Sequence, residues 1–410
     1  MPGPRIAIVG AGLSGLCLAQ GLRQAGVDVA VYERDASPSS RAQGYRISID
    51  SRGAEALRAC LPPKLYQLYE ATLGQPSLGV ALFTTDRGTL ELQHTMHFSQ
   101  SPRPGLPASG RAVDRLILRE TLMAGIADAV HFGKTFTHYE AHANGVEARF
   151  ADGSAVTCDL LVAADGVSSR VRQQSFPDVG LIDTGLRWLG GRTVLEHRLQ
   201  NLLPEVASEC ALSIRDGDKH WFLASVYFQQ RPYEAARALW PALRYTDNDD
   251  FLMWALIGRR DNFILADEQL FGATAEELHR FALGALDGGH AILKQFVEAA
   301  APDRSFALAI RATPVVDSWP SAPITFVGDA IHASAVNGTG ANSALEDAAL
   351  LCQHLLGMGS QADLQCALEE YEAELLRRMR ARNAGLAELR STMMGTQGAT
   401  GRSESAMQPD

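Results

Sequence analysis

The fold is decided near the start of the chain, where residues 5–15 read RIAIVGAGLSG. The apolar run in this stretch is too short for a globular helix and predicts a β-strand, whereas the apolar spacing over residues 16–22 predicts a helix. Between them, Gly10 permits a tight turn, Gly12 lets a pyrophosphate approach the backbone, and Gly15 lets the helix pack on the strand. Strand, glycine turn and helix together predict a Rossmann-like dinucleotide site.

The following segment supports this prediction because it supplies an acidic residue at the required distance. Residues 27–32 read as a second strand that ends on Glu33 and Arg34, roughly twenty residues beyond the glycine turn. A carboxylate at this point accepts hydrogen bonds from a ribose; the alternative is a solvated strand end. Leu13 and Ser14 open the predicted helix, whose free N–H groups and partial positive charge favour phosphate.

Two later segments also place an aspartate after a short apolar strand. Residues 159–164 lead into Asp165 and Gly166, and residues 324–328 lead into Asp329. We expect Asp165 to hold the second edge of the cofactor site, although an ordinary turn aspartate is the alternative. For Asp329 the alternative is a helix N-cap, and the two roles can coexist.

Three segments together resemble a known family in their order and spacing. They are GAGLSG followed by Glu33 and Arg34, ADGVSSRVR at residues 164–172, and GDAIHASAVNGTGANSALEDA at residues 328–348. This set resembles the single-component FAD-dependent aromatic hydroxylases of the p-hydroxybenzoate hydroxylase type, which include the tetracycline-modifying monooxygenases. The resemblance extends from about residue 4 to about residue 385.

The resemblance implies FAD as the cofactor and gives further residues a role in binding it. The aspartate that matches Asp329 binds the ribityl chain in that family. Backbone N–H groups ahead of a helix are expected to face the flavin and to stabilise negative charge on the reduced ring, here at Gly340, Ala341 and Asn342. Cofactor contacts are also implied for an arginine on a helix and for two arginines after Glu33, namely Arg115, Arg41 and Arg46.

The activity implied by the resemblance is that of a flavin monooxygenase. NAD(P)H would reduce the flavin, and one atom of dioxygen would pass by way of a flavin hydroperoxide to an electron-rich, aromatic or polycyclic small molecule. A non-catalytic flavin-binding or ligand-binding protein is the main alternative, with another flavin oxidoreductase of the same fold beside it. A dehydrogenase would not need the segments at Asp165 and Asp329, and the tryptophan-rich motif of flavin halogenases is absent from the sequence.

Composition is compatible with such an enzyme and disfavours several other classes. The 410 residues exceed the usual size of a single core, and the net charge of −10 argues against nucleic acid or an anionic membrane as the main partner. The six cysteines have no metal-ligand spacing, so we expect buried thiols and no metal. Neither a signal segment nor an apolar run long enough to span a membrane is evident, which makes the cytoplasm the expected location. The oligomeric state stays open.

The fold predicted from these patterns is α/β, with a Rossmann-like FAD-binding domain interleaved with a substrate domain built on a mainly antiparallel sheet. The FAD-binding domain is assigned to residues 1–76, 105–180 and 310–342, and the substrate domain to residues 77–104 and 181–309. A long C-terminal helical segment follows at residues 343–390, and the small, polar residues 391–410 predict a disordered tail. Shorter predictions are a helix at 112–124, a hairpin turn at 151–154 and one or two helices at 273–301.

Substrate contacts are expected in the aromatic and apolar layer at residues 186–271. The candidates for the pocket are Trp188, Arg192, Tyr227 and Trp254, and weak candidates for a general base that deprotonates a phenol are His94, His97, His220 and Tyr227. One departure from the family concerns the loop after His332, where residues 333–336 lack the usual proline. The shape of the oxygen pocket is therefore not implied by the resemblance.

Overall fold

A computed structural model describes residues 3–38, 40, 44–86, 89–142, 145–316, 319, 322–333, 338–358 and 363–399. The β-strands, numbered in chain order, are β1 Ile6–Val9, β2 Val29–Tyr32, β3 Arg46–Asp50, β4 Pro76–Ser77, β5 Gly79–Asp86, β6 Thr89–His97, β7 Gly110–Asp114, β8 Val130–His131, β9 Phe136–His142, β10 Gly145–Phe150, β11 Ala155–Cys158, β12 Leu160–Ala163, β13 Ile182–Val194, β14 Cys210–Asp216, β15 Lys219–Val226, β16 Phe251–Arg259, β17 Phe306–Ala312 and β18 Ile324–Phe326.

The α-helices are α1 Leu13–Gln24, α2 Ser51–Cys60, α3 Pro63–Ala71, α4 Arg115–Met123, α5 Arg170–Ser175, α6 His197–Gln200, α7 Pro232–Leu239, α8 Asp267–Gly272, α9 Ala275–Gly284, α10 Ala291–Glu298, α11 Asp329–His332, α12 Gly340–Leu356 and α13 Leu364–Ala399. Short 3-10 helices occur at Ala127–Ala129, Glu205–Ser208, Arg260–Asn262 and Pro302–Arg304. No helix within the described ranges is long and apolar enough to cross a membrane.

A parallel sheet in the order β18-β12-β1-β2-β8 forms the first layer and confirms the Rossmann-like prediction. Strands β1 and β12 are buried along their whole length, so their side chains are apolar on both faces. Strand β1 lies between β2 and β12, and ligands of such sheets bind where the strand order reverses, outside the carboxyl ends of the strands. Helix α1 starts at this point.

A seven-stranded sheet in the order β17-β13-β16-β15-β14-β5-β6 forms the second layer. Its pairs are antiparallel except for β14 with β5, which confirms the prediction of a mainly antiparallel sheet. One face packs on helices α9 and α10, which confirms helices in the 273–301 range. The opposite face carries a separate apolar cluster that includes Ala112 of β7 and packs against Tyr45, so this face is turned toward the parallel sheet's half of the protein.

Several boundaries differ from the sequence-based predictions. Residues 112–114 belong to strand β7 rather than to a helix, and α4 begins at Arg115 because the Asp114 carboxylate caps it by accepting the N–H of Leu116 at 2.8 Å. Ile310 lies in β17 and pairs with Leu186, so the parallel sheet resumes only at Ile324. The hairpin turn at 151–154 is confirmed, with Gly153 at φ 83°.

The C-terminal part is more helical than predicted. Helix α12 begins at Gly340, inside the segment assigned to the FAD-binding domain, and α13 continues to Ala399. A disordered tail from residue 391 is therefore wrong for residues 391–399, and residues 400–410 lie outside the described residues. Among the cysteines, Cys366 is exposed and the others are buried free thiols; the described residues contain no cluster suited to a metal ion.

The two layers are joined by a buried ion pair that involves a predicted pocket residue. Arg192 of β13 is 6% exposed, and its Nη1 lies 2.6 Å from Oδ2 of the fully buried Asp114 and 3.1 Å from Asp247. The guanidinium also stacks on the Phe251 ring at 3.6 Å. Arg192 thus holds the N-terminus of α4 against the seven-stranded sheet.

Replacing Arg192 by Met should lower the free energy of unfolding by about 3–5 kcal/mol, because the Asp114 carboxylate would be left buried without a counter-charge. Chemical denaturation of the purified variant measures this. Arg149→Met is the control: its ion pairs with Glu140 and Glu147 are exposed, and such pairs contribute at most about 1 kcal/mol. An Arg192→Met protein as stable as wild type would contradict the structural role.

Candidate FAD site

The glycine turn of residues 10–15 is built by close backbone approach. Gly10 has φ 109°, and a Cβ atom there would lie 2.4 Å from the carbonyl oxygen of Ala164. A Cβ at Gly15 would lie 2.2 Å from the carbonyl oxygen of Gly10. Both positions therefore require glycine for packing. Gly12 differs, because a Cβ there meets nothing nearer than the Ala164 oxygen at 3.9 Å, so its small size leaves room for a ligand.

The carboxylate of Glu33 organises the same turn from the end of β2. Its Oε2 accepts the N–H of Ala11 at 2.7 Å and its Oε1 accepts the N–H of Asp35 at 2.9 Å, while the side chain is 8% exposed. Each oxygen retains lone-pair capacity for one more donor. Arg34 is exposed beside it.

A cleft of about 270 Å³ opens above this turn, at the carboxyl ends of β1, β2 and β12. Predicted cofactor residues from four separate segments line it: Gly10, Gly12, Glu33, Arg34, Arg115 and Asp165. The structure thereby brings the first two motifs and the α4 arginine to one cavity. Arg41 lies outside the described residues.

Basic side chains in this cleft include residues that the sequence analysis did not assign. Arg119 is 6% exposed and donates from Nε to the Ala11 carbonyl at 2.9 Å. Arg170 donates to the Phe136 carbonyl at 2.9 Å, and Lys134 pairs with Asp152 at 2.6 Å; both line the cleft. Arg119 follows Arg115 by one helical turn, a spacing that could have indicated it.

The third motif adjoins the first across the start of α1. A Cβ at Gly328, whose φ is 62°, would lie 3.0 Å from Oγ of the buried Ser14. The Asp329 carboxylate is exposed and faces the start of α12, because a Cβ at Gly340 would lie 3.9 Å from its Oδ1. Leu13 is buried in the core under the same turn.

Other predicted cofactor residues have structural contacts of their own. The Asn342 side chain accepts the N–H of Asp50 at 2.9 Å and donates to the Ser48 carbonyl at 2.9 Å, so it joins α12 to β3. Arg46 donates to Ser77 Oγ at 2.7 Å, and burial lowers the pKa of its guanidinium to about 10. These residues and Ala341 are not among those lining the 270 Å³ cleft.

The second motif contains a further residue that the sequence analysis quoted without a role. Arg172 is 1% exposed, and its guanidinium donates to the carbonyls of Val167 at 2.8 Å and Ala330 at 2.7 Å. Ala330 belongs to the third motif. Arg172 therefore joins the second and third motifs across the edge of the parallel sheet.

The features of the cleft fit FAD. The first turn of α1 contains no acidic residue and no side-chain cap, so its N–H groups are available to a phosphate. Within the described residues, Oδ1 of Asp165 is buried without a hydrogen-bond partner, as expected of an acceptor whose donor is a ligand. The open space at Gly12, the residue before α1, borders the same cleft as Asp165.

The candidates for substrate contact divide between the two faces of the seven-stranded sheet. Trp188 and Arg192 lie on the face turned toward the parallel sheet, whereas Trp254 is fully buried under the helices of the other face and Tyr227 packs there too. Trp254 and Tyr227 therefore do not reach the inner face. His94 and His97 are exposed on the edge strand β6, and His220 hydrogen-bonds Ser213 Oγ at 2.7 Å on the inner face.

The Asp165 carboxylate is expected to make the stability of the FAD-free protein depend on pH. Burial raises the pKa of Asp165, and hydrogen bonds from Ser169 and Arg170 only partly oppose this. Because its pKa is higher in the folded state, ionisation costs stability as pH rises above the unfolded value of about 3.9. Asp165→Asn should therefore stabilise the FAD-free protein at neutral pH, and this gain should fade as pH falls into the acid range.

Urea unfolding of FAD-free wild type and Asp165→Asn across pH tests this expectation, with the exposed Asp303→Asn as the control. A difference between variant and wild type that does not change with pH would show that Asp165 ionisation is not its source.

A substitution at Gly12 can test the binding of FAD without disturbing the fold. Gly12→Val should leave the fold intact, since a Cβ meets no protein atom within 3.4 Å, but should abolish retention of FAD because the branched side chain enters the cleft. Flavin absorbance per chain after gel filtration measures retention. Gly272→Val, at an exposed helix end with open space around its Cβ, is the matched control; full flavin occupancy in Gly12→Val would contradict the use of this turn.

Comparison with known proteins agrees with this geometry. Residues 5–177 match the family model described as FAD binding domain. The dual O-methyltransferase/FAD-dependent monooxygenase CTB3 of Cercospora beticola is 32% identical over 95% of this chain, but the chain spans only 46% of that relative. The FAD-dependent monooxygenase phnB of Penicillium herquei is 26% identical, with 92% of this chain and 88% of phnB covered.

Solved structures extend the likeness over both layers of the fold. A protein of Photorhabdus luminescens described as an FAD-containing monooxygenase is 28% identical, with a TM-score of 0.72 and coverage of 94% of this chain and 97% of its own. The 2,6-dihydroxypyridine-3-hydroxylase of Arthrobacter nicotinovorans shares the fold at 19% identity, with a TM-score of 0.71 and coverage of 95% and 93%. With a match to the FAD binding domain family over residues 5–177 and a likeness to FAD-dependent monooxygenases over most of its length, the chain is similar to the class of protein that its three motifs indicate.

Proposed function

We propose that the protein is an FAD-dependent monooxygenase that uses NAD(P)H and dioxygen to insert one oxygen atom into an electron-rich, aromatic or polycyclic small molecule. The observation that carries the proposal is the convergence of the first two motifs and Arg115 on one cleft, next to an apolar sheet face suited to such a substrate. The net charge of −10 supports a small-molecule partner rather than nucleic acid or an anionic membrane, and we propose a cytoplasmic location.

Named residues would hold FAD along the edge of the parallel sheet. The first turn of α1 and the open position at Gly12 would bind the pyrophosphate, and Glu33 would accept a ribose hydroxyl. Asp165 and Asp329 would each supply a carboxylate acceptor, and the N–H groups at the start of α12 would favour negative charge. When bound and reduced, FAD supplies the activation of dioxygen.

The cleft is connected to the sheet face through a cation–π contact and a tilted pair of aromatic rings. The Arg115 guanidinium lies 5.3 Å from the centre of the Tyr45 ring, and the Tyr45 ring lies 5.9 Å from that of Phe306 in β17. We propose that the half-buried apolar residues beyond Tyr45 orient the substrate: Leu186, Phe222, Ile257, Phe306 and Leu308, with Trp188 beside them. A flat ring fits this surface because aromatic side chains favour offset or edge contacts with other rings.

His220 is the catalytic candidate that this arrangement favours for removing a proton from a phenol. It lies on the inner face and bonds Ser213, and burial together with Arg215 lowers the pKa of its ring, which keeps the imidazole neutral and able to accept a proton. All three histidines are exposed, but His220 lies on the inner strand β15 opposite Ile257 of the proposed substrate face, whereas His94 and His97 lie on the edge strand β6.

The proposal is tested by substrate-stimulated NAD(P)H oxidation. The purified protein should be yellow, release one FAD per chain on denaturation, and oxidise NADH or NADPH faster with a matching phenol, with a product heavier by one oxygen atom. Bound FAD without NAD(P)H oxidation across a broad panel of phenols and polycyclic compounds would favour a flavin-binding protein instead. A colourless protein that fails to bind added FAD would refute the cofactor assignment.

Replacing Trp188 by Phe should uncouple the reaction while leaving FAD bound. The smaller ring would leave the acceptor carbon misplaced, and misplacement by about 1 Å can cost on the order of a hundredfold in rate, so NAD(P)H would be consumed with release of hydrogen peroxide. The ratio of product to NAD(P)H consumed is the measurement. Trp254→Phe is the matched control on the opposite face and should stay coupled; uncoupling in both variants, or in neither, would contradict the assigned face.

A further inference from the structure

The C-terminal helix α13 contacts the Gly328 turn on both sides. Tyr371 donates its hydroxyl to the carbonyl of Phe326 at 2.7 Å, just before Gly328. Arg382 donates from Nη1 to Nδ1 of His332 at 2.7 Å, just after it. Tyr371 and Arg382 are about three helical turns apart, so they project from the same face of α13. That face therefore contacts the third motif at two points, through the Phe326 carbonyl and the His332 ring.

A chain of buried polar contacts continues from Arg382 to the backbone of the turn. Because an arginine can only donate, Nδ1 of His332 is the acceptor, and the imidazole proton resides on Nε2. His332 Nε2 hydrogen-bonds the Asp347 carboxylate of α12, whose Oδ2 also accepts the N–H of Gly328 at 3.0 Å. The His332 ring therefore links the Arg382 guanidinium to the Asp347 carboxylate through its two nitrogens.

The ionised side chains in this series of buried contacts stabilise one another. Asp347 is fully buried, and His332 and Arg382 are each 6% exposed. Burial alone would raise the pKa of Asp347, but His332, Arg378 and Arg382 hold it below its usual value. Burial lowers the pKa of Arg382. An uncompensated charge at this depth is strongly unfavourable, so the Arg382 and Asp347 charges stabilise each other.

We propose that Arg382 is a positioning residue for the cofactor, although it belongs to neither motif of the cleft. Acting through His332 and Asp347, it fixes the backbone of Gly328 and so directs the Asp329 carboxylate toward the first turn of α12. The inference rests on the FAD site described under Proposed function. It makes α13 part of the cofactor site and not only a cover for the core.

The test compares full-length Arg382→Met, Arg382→Lys and Arg377→Met after FAD is removed and restored. Arg382→Met should weaken FAD binding by about tenfold or more, as expected for loss of a charge-assisted hydrogen bond, and should shift the midpoint potential or visible band shape of the flavin that binds. Arg382→Lys keeps a cationic donor and should recover most of both properties. Arg377 is exposed on the opposite face of α13, so Arg377→Met should match wild type.

Two results would overturn the proposal. One is wild-type FAD affinity and flavin potential in folded Arg382→Met; the other is a loss of affinity that follows thermal stability, with an unchanged potential and no recovery in Arg382→Lys. If Arg382→Met does not fold, the double variant Arg382→Met/Asp347→Asn removes both charges together. This variant is expected to fold but to bind FAD more weakly than wild type. Wild-type FAD affinity in the double variant would again refute the proposal. These measurements need only bound FAD, so a failure to oxidise NAD(P)H would count against the monooxygenase activity and not against Arg382.

Discussion

The close approach of the glycine turn to β12 is the constraint on which the rest of the site depends. Added Cβ atoms at Gly10 and Gly15 would come within 2.4 Å of backbone oxygens, so no other residue type lets β1, α1 and β12 approach this closely. The approach directs the first turn of α1 into the cleft and places the backbone of Asp165 directly beside Gly10. It also brings Ser14 against Gly328, so the third motif packs on the first although the two are more than three hundred residues apart in the sequence.

Buried arginines then hold the separate segments in register. Arg119 reaches the carbonyls of Ala11 and Pro38, and Arg172 reaches those of Val167 and Ala330. A guanidinium suits this task because its planar array of donors can satisfy carbonyls on two segments at once. These hydrogen bonds fix the two segments relative to each other. They explain why cofactor motifs far apart in the chain meet with defined geometry.

The parts of the site that follow from local sequence could be predicted, and the parts that depend on distant partners could not. The glycine turn, Glu33 and Asp165 reach one cleft because each sits at the end of a short buried strand, a pattern visible in the sequence. Trp254 could not be distinguished from the other pocket candidates, because strand side chains alternate with period two and a near-continuous apolar run does not reveal which residues lie on the inner face. Arg382 was missed because its partner His332 lies fifty residues away.

These long-range contacts also couple cofactor binding to the packing of the C-terminal helices. A ligand that binds only the folded state stabilises it in proportion to the logarithm of its concentration over its dissociation constant. Asp329 and the start of α12 are joined through Asp347 to His332 and Arg382, so a shift of α13 displaces groups on which FAD would depend, and bound FAD in turn favours the docked helix. The inner face of the seven-stranded sheet takes no part in this relay. Except for Arg192, which pairs with Asp114 at the start of α4, its side chains could be replaced without disturbing this relay, and such freedom would let one scaffold serve different substrates.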